Sequence, residues 1–397
     1  MKVLFCALGI YSSVGGIQRF NQRVVTCLAE LRSAFVTKPT VLVLWDEPRD
    51  RCKPPKGVKY LPCARHKVYM LLRFVWTVLR ERPDVIVYGH TLLGPMAIIA
   101  RLLVPRTQQA LFVHGVEVWG RPKLFERKIV ERFMHCIVSV SQFTAVKMRQ
   151  AYGLDSNKFF VLPNAIDLKL NGQMKRPVET AFQGKHRLLT VARLEDRYKG
   201  HDKVISSMLV ILARFPETHY YIVGDGPLVE ELRMHAEKAG VAANVHFLGY
   251  VDDSMLDAVY QNCDIFILPS KGEGFGIVFL EAWEHRLPVI AGNQDGSAEV
   301  IQDGVNGLLV CPDRLEEISA AVVGLLADSS RRLSLGEAGY KSLSCKHTHV
   351  HFRERLADAL RSLAKIRDGT QCRVGTVTPS YPTIQDTPSS PNLGGTR

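Results

Sequence analysis

The stretch DIFILPSKGEGFGIVFLEAWEHRLPVIA, residues 264–291, decides the fold. Its pattern predicts, in order, a buried strand, a glycine-rich loop, a helix and a second strand: Ile265–Leu268, Lys271–Gly276, Ile277–Arg286 and Pro288–Ala291. Such a unit is the repeating element of open parallel α/β sheets, which bind ligands beyond the carboxyl ends of their strands. Glu273 lies in the loop, and Glu281 follows about one turn into the helix. The stretch therefore predicts an α/β fold with two carboxylates near a ligand-binding edge.

The same alternation of short apolar runs and longer amphipathic segments extends through the chain in two series. The first series predicts strands at Lys2–Leu8, Val41–Trp45, Asp84–Tyr88, Ala110–His114, Cys136–Ser139 and Phe159–Leu162. Its helices are predicted at Gly16–Leu31, Lys67–Glu81, Pro95–Leu103, Lys123–Phe133 and Ser141–Ala151. The second series adds strands at Arg187–Val191, Tyr220–Val223, Asn244–Phe247, Ile265–Leu268, Pro288–Ala291 and Gly307–Val310. Near-continuous apolar strands are typical of parallel sheets, so we expect two doubly wound Rossmann-like domains.

The domain limits follow from the composition between the two series. A polar stretch with a proline and two glycines, at 171–185, predicts a first domain over 1–170 and a second over 171–342. Residues 343–367 predict a C-terminal helix that packs back on the first domain. Residues 368–397 are rich in proline, serine, threonine and glycine, and cannot bury enough apolar surface to offset their ordering entropy. We expect this tail to be disordered.

The bulk composition narrows the class of protein. The chain has 397 residues, of which 46% are hydrophobic, and lacks an apolar run long enough to predict a transmembrane helix. Its first ten residues predict a strand rather than a signal peptide, because polar residues follow at once. Nine cysteines are dispersed without C-x-x-C pairs or histidine clusters at zinc spacing. We therefore expect reduced thiols, a cytoplasmic location and no metal site.

The positive charge is concentrated in the first half of the chain. Residues 1–170 hold 26 Lys+Arg and 11 Asp+Glu, a net of +15, and the remainder holds 25 and 28, a net of −3, which gives the total of +12. Such a half-molecule could attract an anionic membrane surface, a nucleic acid or an anionic substrate. The alternative is a basic surface without a partner. No RNA- or DNA-binding motif accompanies the charge, so a nucleic-acid-binding protein is the weakest interpretation.

Two glycine-rich turns each join a predicted strand to a helix. In YSSVGGIQRF, Gly15 and Gly16 permit a tight turn, and the free N–H groups of the next helix could cradle an anion or a sugar. In YIVGDGPLVEELR, Gly224 and Gly226 allow a ligand to approach the backbone. Neither stretch is a G-x-G-x-x-G or a P-loop motif. Both could equally be turns without a ligand.

A basic pair follows the first strand of the second series. In LTVARLEDRYKGHDKVI, Arg193 and Lys199 lie at the carboxyl end of a predicted strand. A guanidinium fork together with an ammonium point charge suits a diphosphate. The neighbouring Glu195, Asp196 and Arg197 leave a solvated run of charges as the alternative.

Together these pieces resemble the glycosyl transferases group 1, glycosyltransferase family 4, which are retaining nucleotide-sugar glycosyltransferases of GT-B fold. The pattern that carries the resemblance is E-G-F-G-x4-E at 273–281, preceded by R-x5-K and G-D-G-P. PNAID at 163–167 and AEVIQDGVNGLLV at 298–310 extend it, so it covers about residues 3–361. The resemblance implies two Rossmann-like domains that face a central cleft, with the acceptor on the first domain and the nucleotide sugar on the second.

The resemblance also implies a role for each matched residue of the second domain. Arg193 and Lys199 hold the donor diphosphate, and Glu281 binds the ribose. Glu273, Gly274, Phe275 and Gly276 line the donor sugar and phosphate. Gly224 lies beside the nucleotide.

In the first domain, the resemblance places Gly15 and Gly16 against the diphosphate across the cleft. His114, in FVHGVEVWG, matches the histidine that contacts the transferring sugar. Taken alone, a histidine at a strand end is more often structural. The catalytic set implied is thus His114, Arg193, Lys199 and Glu273, with no metal and no other cofactor.

The implied reaction moves a sugar, with retention, from a UDP-sugar or GDP-mannose to a glycan or lipid-linked acceptor, as in cell-surface polysaccharide or glycolipid biosynthesis. UDP-sugars are favoured first. A non-catalytic sugar-nucleotide-binding scaffold of the same fold is the alternative, and a phosphorylase-like or epimerase-like enzyme fits the motifs less well. A glycosidase is disfavoured because no closely spaced pair of carboxylates is evident.

The segment RHKVYMLLRFVWTVLRER, residues 65–82, combines large apolar residues with arginine and lysine. Its apolar residues could simply face the sheet, which would leave the basic ones outside. Such a surface would still attract anionic lipid. We therefore expect reversible, peripheral binding to the inner face of the cytoplasmic membrane.

Overall fold

Two open parallel sheets form the framework of the computed structural model, which describes residues 1–48, 54–168 and 182–367. The first sheet has the order β3-β2-β1-β4-β5-β6-β7 and the second β10-β9-β8-β11-β12-β13. The strands of the first are β1 Lys2–Ala7, β2 Lys38–Val43, β3 Lys59–Pro62, β4 Val85–Tyr88, β5 Gln108–Val113, β6 Cys136–Ser139 and β7 Phe159–Val161. Those of the second are β8 His186–Val191, β9 Thr218–Val223, β10 Val245–Gly249, β11 Ile265–Leu268, β12 Val289–Gly292 and β13 Leu308–Val310.

Helices follow most of the strands and cover both faces of each sheet. Those of the first domain are α1 Gly16–Glu30, α2 Lys67–Glu81, α3 Pro95–Leu103, α4 Leu124–Phe133 and α5 Gln142–Tyr152. The second domain has α6 His201–Arg214, α7 Val229–Lys238, α8 Asp253–Asn262, α9 Ile277–Glu284, α10 Ser297–Val300, α11 Leu315–Ala327 and α12 Ser329–Lys346. The last helix is α13 His349–Arg367. The predicted α/β class, with two doubly wound Rossmann-like domains, is confirmed.

The strand order of each sheet reverses at its first strand. β1 lies between β2 and β4, and β8 lies between β9 and β11. The loops that leave two neighbouring strands at such a point run in opposite directions and open a crevice at the carboxyl edge. The glycine turn before α1 and the basic loop after β8 therefore each begin at a crevice.

The central strands are apolar on both sides because helices cover both faces of the sheet. β1 and β4 pair in parallel from Val3 with Val85 to Cys6 with Tyr88, and all these residues are buried. Met70, Phe74 and Val78 on α2 pack against one face of the first sheet. The other face carries α1 and, from the far end of the chain, α13.

Residues 343–367, expected as one C-terminal helix, contain the end of α12 and the whole of α13. The chain bends between them at His347 and Thr348, where Ile166 donates its backbone N–H to the His347 carbonyl at 3.0 Å. Beyond the bend α13 lies against α1, and the rings of Phe20 and Phe352 meet edge to face at 5.3 Å. The polypeptide thus returns from the second domain to the first.

The boundary expected near 171–185 and the tail expected over 368–397 fall mostly or wholly outside the described residues. The cysteines that the structure describes are all free thiols. Across the described ranges, none of the helices combines the length and the apolarity that a bilayer-spanning segment requires.

Candidate active site

The carboxyl edges of the two sheets face each other across a cleft of about 600 Å³. This cleft brings together every site residue predicted from the sequence, although the residues are spread over more than 260 positions of the chain. They are Gly15, Gly16, His114, Arg193, Lys199, Gly224, Glu273, Gly274, Phe275, Gly276 and Glu281. Their individual roles stay predictions, whereas their convergence is a property of the fold.

The first domain contributes the start of α1 and the loop after β5. Gly15 precedes the helix in an extended conformation and accepts a hydrogen bond from the Arg19 backbone N–H at 2.9 Å. Gly16 begins the helix, with open space where a side chain would stand. Two residues without side chains, Gly15 and Gly16, therefore border the cleft where α1 begins.

His114 is held from three sides at the end of β5. Its backbone N–H donates to the Glu117 carboxylate at 2.5 Å, and Nε2 lies 3.2 Å from the Gly89 carbonyl oxygen. Its ring meets the Phe20 ring edge to face at 5.0 Å. Burial lowers the pKa of His114, against the opposing effects of Glu117 and the Gly89 carbonyl. The imidazole is therefore neutral at neutral pH and can exchange hydrogen bonds without carrying a charge.

In the second domain, the two predicted basic residues differ in their surroundings. The Lys199 ammonium pairs with the Glu273 carboxylate, and their side chains are 16% and 14% exposed. The Arg193 guanidinium pairs with Glu195 at 3.0 Å, but its side chain is 64% exposed. Solvent screens the second pair far more than the first. Lys199 is therefore the stronger electrostatic element of this wall.

A buried carboxylate fixes the loop that carries Glu273. Asp295 accepts hydrogen bonds from the backbone N–H groups of Glu273 at 2.7 Å and Ser297 at 2.9 Å. Burial raises the pKa of Asp295 to about 6, although both hydrogen bonds act to lower it. The Gly296 backbone N–H donates to the Glu273 carbonyl at 2.8 Å. Hydrogen bonds to the backbone N–H and to the carbonyl of Glu273 thus fix the position of the loop.

The two domains approach most closely where glycine allows it. A Cβ on Gly274 would overlap the His114 carbonyl oxygen of the opposite domain. Gly276, which precedes α9, has φ 84°, a left-handed value that favours glycine. Both glycines of the Gly-Phe-Gly turn are therefore required by the backbone, one by contact and one by conformation. Phe275 between them is buried and meets the His347 ring at 5.5 Å.

Glu281 lies on α9 with only 8% of its surface exposed. One carboxylate oxygen accepts from the Arg19 guanidinium at 2.5 Å, and the other accepts from the Tyr260 hydroxyl at 3.0 Å. Burial, followed by the nearby Glu281 charge, raises the pKa of Tyr260 well above its ordinary value. The tyrosine therefore remains a donor at all physiological pH values.

A further polar contact joins the two domains at the start of α5. Glu299 of the second domain accepts from the backbone N–H groups of Gln142, at 2.8 Å, and Phe143. A carboxylate at a helix N-terminus satisfies N–H groups that have no partner within the helix. Burial nevertheless raises the pKa of Glu299.

Sequence reasoning missed several of these residues. Arg19, Tyr260 and Asp295 each hold a predicted site residue or its loop. The sequence offered one weak signal, since Arg19 lies three residues after the glycine pair in GGIQR. The other two stand out only when their partners are known.

Within the described ranges, three side chains with metal-ligand geometry lie outside the cleft. They are Cys27, Glu30 and His349, between α1 and α13. The Arg353 guanidinium lies 3.4 Å from the Glu30 carboxylate and supplies the positive charge there. The cluster is better explained as ion pairs that join the two helices.

Comparison with protein families gives two consecutive matches. Residues 14–170 match the model described as Glycosyltransferase Family 4, and residues 173–342 match that described as Glycosyl transferases group 1. The chain is 30% identical over 333 residues to the GDP-mannose-dependent alpha-(1-6)-phosphatidylinositol monomannoside mannosyltransferase of Mycobacterium tuberculosis, which covers 75% of this chain and 85% of that protein. It is 32% identical over 178 residues to the lipopolysaccharide core biosynthesis glycosyltransferase LpsE of Rhizobium meliloti, covering 44% of this chain and 48% of that protein.

Solved structures share the fold at lower identity. HepE of Anabaena in complex with UDP-glucose superimposes with a TM-score of 0.73 at 19% identity, over 91% of this chain and 100% of that one. The sucrose-phosphate synthase of Thermosynechococcus elongatus gives a TM-score of 0.76 at 18% identity, over 92% and 99% of the two chains. These likenesses establish the arrangement of the two domains.

Proposed function

Since this chain belongs to glycosyltransferase family 4, the glycosyl transferases group 1, we propose that it transfers a hexose, with retention, from a nucleotide sugar to a lipid-linked acceptor. The observation that carries the proposal is the convergence of Lys199, Glu273, Glu281 and His114 on one cleft between the domains. The reaction would serve glycolipid or cell-surface polysaccharide biosynthesis.

We propose GDP-mannose as the first donor to test and UDP-sugars as the second. The mycobacterial relative is GDP-mannose-dependent by name, and it matches most of both chains. The structures with bound UDP share only 19% of residues and support the fold. This order differs from that expected from the sequence alone, which placed UDP-sugars first.

The cleft offers cations where the leaving group would gain charge. As the anomeric C–O bond breaks, negative charge develops on the diphosphate, and preorganised donors stabilise it without rearranging. Lys199 is largely buried beside Glu273, Arg193 reaches the same cleft, and α9 presents its N-terminal N–H groups after Gly276. These groups could supply the stabilisation without a bound metal.

Retention would follow if the acceptor attacks the face from which the diphosphate departs. The departing phosphate oxygen can take the proton of the acceptor hydroxyl, so no separate general base is needed. In this proposal the neutral His114 orients the transferring sugar by a hydrogen bond. Closure of the cleft would exclude water and limit hydrolysis of the donor.

The acceptor side of the proposal is supported by an exposed apolar face on α2. Val68, Leu72, Trp76 and Leu79 occupy one stripe of the helix and are 72%, 63%, 51% and 51% exposed. The opposite face of α2 packs into the domain core, so the stripe is additional to the core face. Leu102 and Leu103 at the end of α3, and Leu124 and Phe125 at the start of α4, are further exposed apolar residues of the first domain.

Basic side chains border this stripe. The Arg80 guanidinium and the Lys59 ammonium lie 5.1 and 5.2 Å from the Trp76 ring centre, and Arg73 lies 5.0 Å from that of Tyr69. Apolar residues flanked by cations match an anionic lipid interface, where the rings enter the headgroup region and the cations meet phosphates. We propose that this face binds the membrane that holds the acceptor lipid.

The test of the function is a donor screen read by release of nucleoside diphosphate. GDP-mannose and several UDP-sugars are each incubated with the enzyme, with and without phosphatidylinositol or polyprenyl-linked acceptors in vesicles. We expect release from one donor to rise at least tenfold when the correct acceptor is added, with loss of this increment in Lys199→Ala. Binding of a nucleoside diphosphate without turnover on any acceptor would instead favour a non-catalytic sugar-nucleotide-binding scaffold.

A further inference from the structure

Arg19 reaches across the cleft from the first domain to the second. It lies in the first turn of α1, directly after the glycine turn, and lines the cleft. Of the cleft-lining residues in the described chain, it is the one lysine or arginine that the first domain contributes. The cations of the opposite wall are Arg193 and Lys199. Arg19 is therefore the cation of its own wall, to which Glu117 contributes a carboxylate.

Both ends of its guanidinium are engaged with carboxylates of the second domain. Nη1 lies 2.5 Å from Glu281 on α9, and Nη2 lies 3.2 Å from Asp253 on α8. The Glu281 side chain is 11% exposed and that of Asp253 is 94% exposed. Because solvent screens the Asp253 pair, the Glu281 pair is the stronger of the two ion pairs that Arg19 makes with the second domain.

The bond to Glu281 occupies the carboxylate that the family resemblance assigns to the donor ribose. A ribose diol that donates to Glu281 must compete with the Arg19 guanidinium for an oxygen that is already in use. In the same donor, the diphosphate is joined to the C5′ of that ribose and therefore lies close to it. A guanidinium displaced from Glu281 would meet a phosphate, which it binds in the same forked geometry as a carboxylate.

We propose that Arg19 is a donor-binding residue that exchanges Glu281 for the donor diphosphate, so that the nucleotide replaces an ion pair between the domains. The inference rests on the proposed function, because it takes the cleft to be a nucleotide-sugar site. It adds a third cation to the leaving group, supplied by the acceptor-side domain. It also makes one ion pair between the two domains depend on whether a nucleotide is bound in the cleft.

Removal of the positive charge at Arg19 should change the affinities for two ligands, a nucleoside and a nucleoside diphosphate, in opposite directions. In Arg19→Gln the ribose no longer competes for Glu281, so a free nucleoside should bind as well as or better than to the wild type. The diphosphate loses a charge-assisted contact, so the nucleoside diphosphate should bind roughly 10- to 100-fold more weakly. A role confined to holding the domains together would change both affinities in the same direction.

The experiment measures GDP and UDP by calorimetry, and guanosine and uridine by ligand-detected NMR, on the full chain. Arg23→Gln is the matched control, because Arg23 lies one turn along α1, pairs with Asp167 at 2.9 Å and does not line the cleft. The control should leave both affinities within twofold of the wild type. Circular dichroism and thermal midpoints establish that each variant is folded.

An unchanged or higher affinity of Arg19→Gln for the nucleoside diphosphate would overturn the inference, and so would an equal loss for nucleoside and diphosphate. Arg19→Lys should recover part of the loss, since an ammonium keeps the charge without the fork. If the wild type binds neither GDP nor UDP, the proposed function fails, and the inference fails with it. Nucleoside diphosphate binding by the wild type without an effect of Arg19→Gln would overturn the inference alone.

Discussion

At the scale of single residues, the charged groups of the cleft are already paired with one another. Lys199 pairs with Glu273, and Arg19 pairs with Glu281. A carboxylate and a cation taken out of water together avoid much of the desolvation cost that either would carry alone. In the proposed function, an anionic ligand would bind by replacing these carboxylates as partners of the cations. Selectivity for a diphosphate then depends on whether the cations make stronger hydrogen bonds to the diphosphate than to these carboxylates.

The first prediction at this scale concerns Glu281. Glu281→Ala should weaken binding of the nucleotide donor by roughly 10- to 100-fold, because a charge-assisted contact to the ribose is lost. Turnover at saturating donor should fall much less. Calorimetry with the nucleoside diphosphate and steady-state kinetics separate the two effects. Glu284→Ala, on the same helix but outside the cleft, serves as the control, and an unchanged affinity of Glu281→Ala would contradict the ribose assignment.

The second prediction concerns the basic pair. Arg193→Ala and Lys199→Ala should each reduce turnover by about 100- to 1000-fold, because preorganised charge is lost where the leaving group becomes negative. The effect should be larger for the buried Lys199 than for the exposed Arg193. Arg197→Ala is the control, since Arg197 belongs to the same loop but pairs with Glu231. Near-normal turnover in either cleft variant would assign that residue to the solvated charges.

The third prediction concerns His114. His114→Ala should retain binding of the nucleoside diphosphate and lose transfer, because the neutral imidazole is proposed to contact the sugar and not the nucleotide. Kinetics of transfer and calorimetry with the nucleoside diphosphate test the two parts. Retained transfer with a lowered thermal midpoint would show that the histidine is structural, through its contact with Phe20.

Whether a site residue can be predicted from the sequence depends on how far along the chain the residue that it contacts lies. Residues such as Glu273 and Gly276 could be found because their motif is local and lies between a predicted strand and helix. Arg19 could not be assigned, because its partner Glu281 lies 262 positions away. The two residues meet only because the two domains face each other. Asp295 was missed for a related reason, since it acts on the backbone N–H of Glu273. A carboxylate that accepts from a distant backbone N–H leaves no pattern in side-chain type at the residue that donates.

At the scale of elements, α2 is a helix with two apolar faces. Its length and bounds match the prediction, Lys67–Glu81, because the core face repeats with helical period. The sequence left open that all the apolar residues of this segment face the sheet and its basic residues point outward. The outer face is instead an apolar stripe bordered by cations. Large exposed apolar patches on a folded domain mark interaction sites.

The prediction for α2 concerns binding to vesicles. The triple variant Arg65→Gln, Lys67→Gln and Arg73→Gln should weaken co-sedimentation with anionic vesicles and leave nucleotide binding unchanged. Each lysine or arginine near such a surface contributes about 1 kcal/mol, screened by salt. Binding of the wild type should fall as salt rises and should be weak on neutral vesicles. Equal binding to both vesicle types, or none at low salt, would contradict the proposal.

A second pair of variants separates insertion from charge. Trp76→Ser removes the ring at the centre of the stripe and should weaken vesicle binding at high salt, where the electrostatic part is screened. Leu209→Ser is the control, because Leu209 is 62% exposed on α6 of the other domain. If both variants bind vesicles as the wild type does, the apolar stripe does not enter the lipid.

The elements that the sequence did not predict are short or at a sheet edge. β3, Lys59–Pro62, was missed because four residues with a terminal proline give no clear period, and such a strand is tolerated at an edge. β2 begins at Lys38, three residues before the predicted start at Val41, since pairing with β1 extends it through Pro39 and Thr40. In both cases the neighbouring strand supplies what the local sequence lacks. α3 was predicted with its observed bounds because Pro95 marks its first turn.

At the scale of the whole molecule, stability should depend on pH through two buried histidines. Burial lowers the pKa of both His201 and His347 to about 4. Between that value and the unfolded value of about 6.5, the unfolded chain binds more protons than the folded one. The stability that these two histidines contribute is therefore fully present above about pH 6.5 and should be lost as the pH falls toward 4.

The variant that tests this dependence is His201→Phe. The fall in thermal midpoint between about pH 7 and about pH 5 should be smaller in the variant than in the wild type, because one of the two buried groups no longer takes up a proton on unfolding. His66→Gln, at an exposed position, should show the wild-type fall. A fall in His201→Phe equal to that of the wild type would show that this histidine does not contribute.

The return of α13 to the first domain has a consequence for the order of synthesis. Phe352, Leu356, Leu360 and Leu363 of that helix are buried in the same core as β1 and α1, which lie at the start of the chain. On the ribosome the first domain therefore emerges with part of its apolar surface uncovered, and it stays so until the second domain has been made. Nascent chains stalled before residue 349 should present this surface to chaperones, whereas chains released after residue 367 should not.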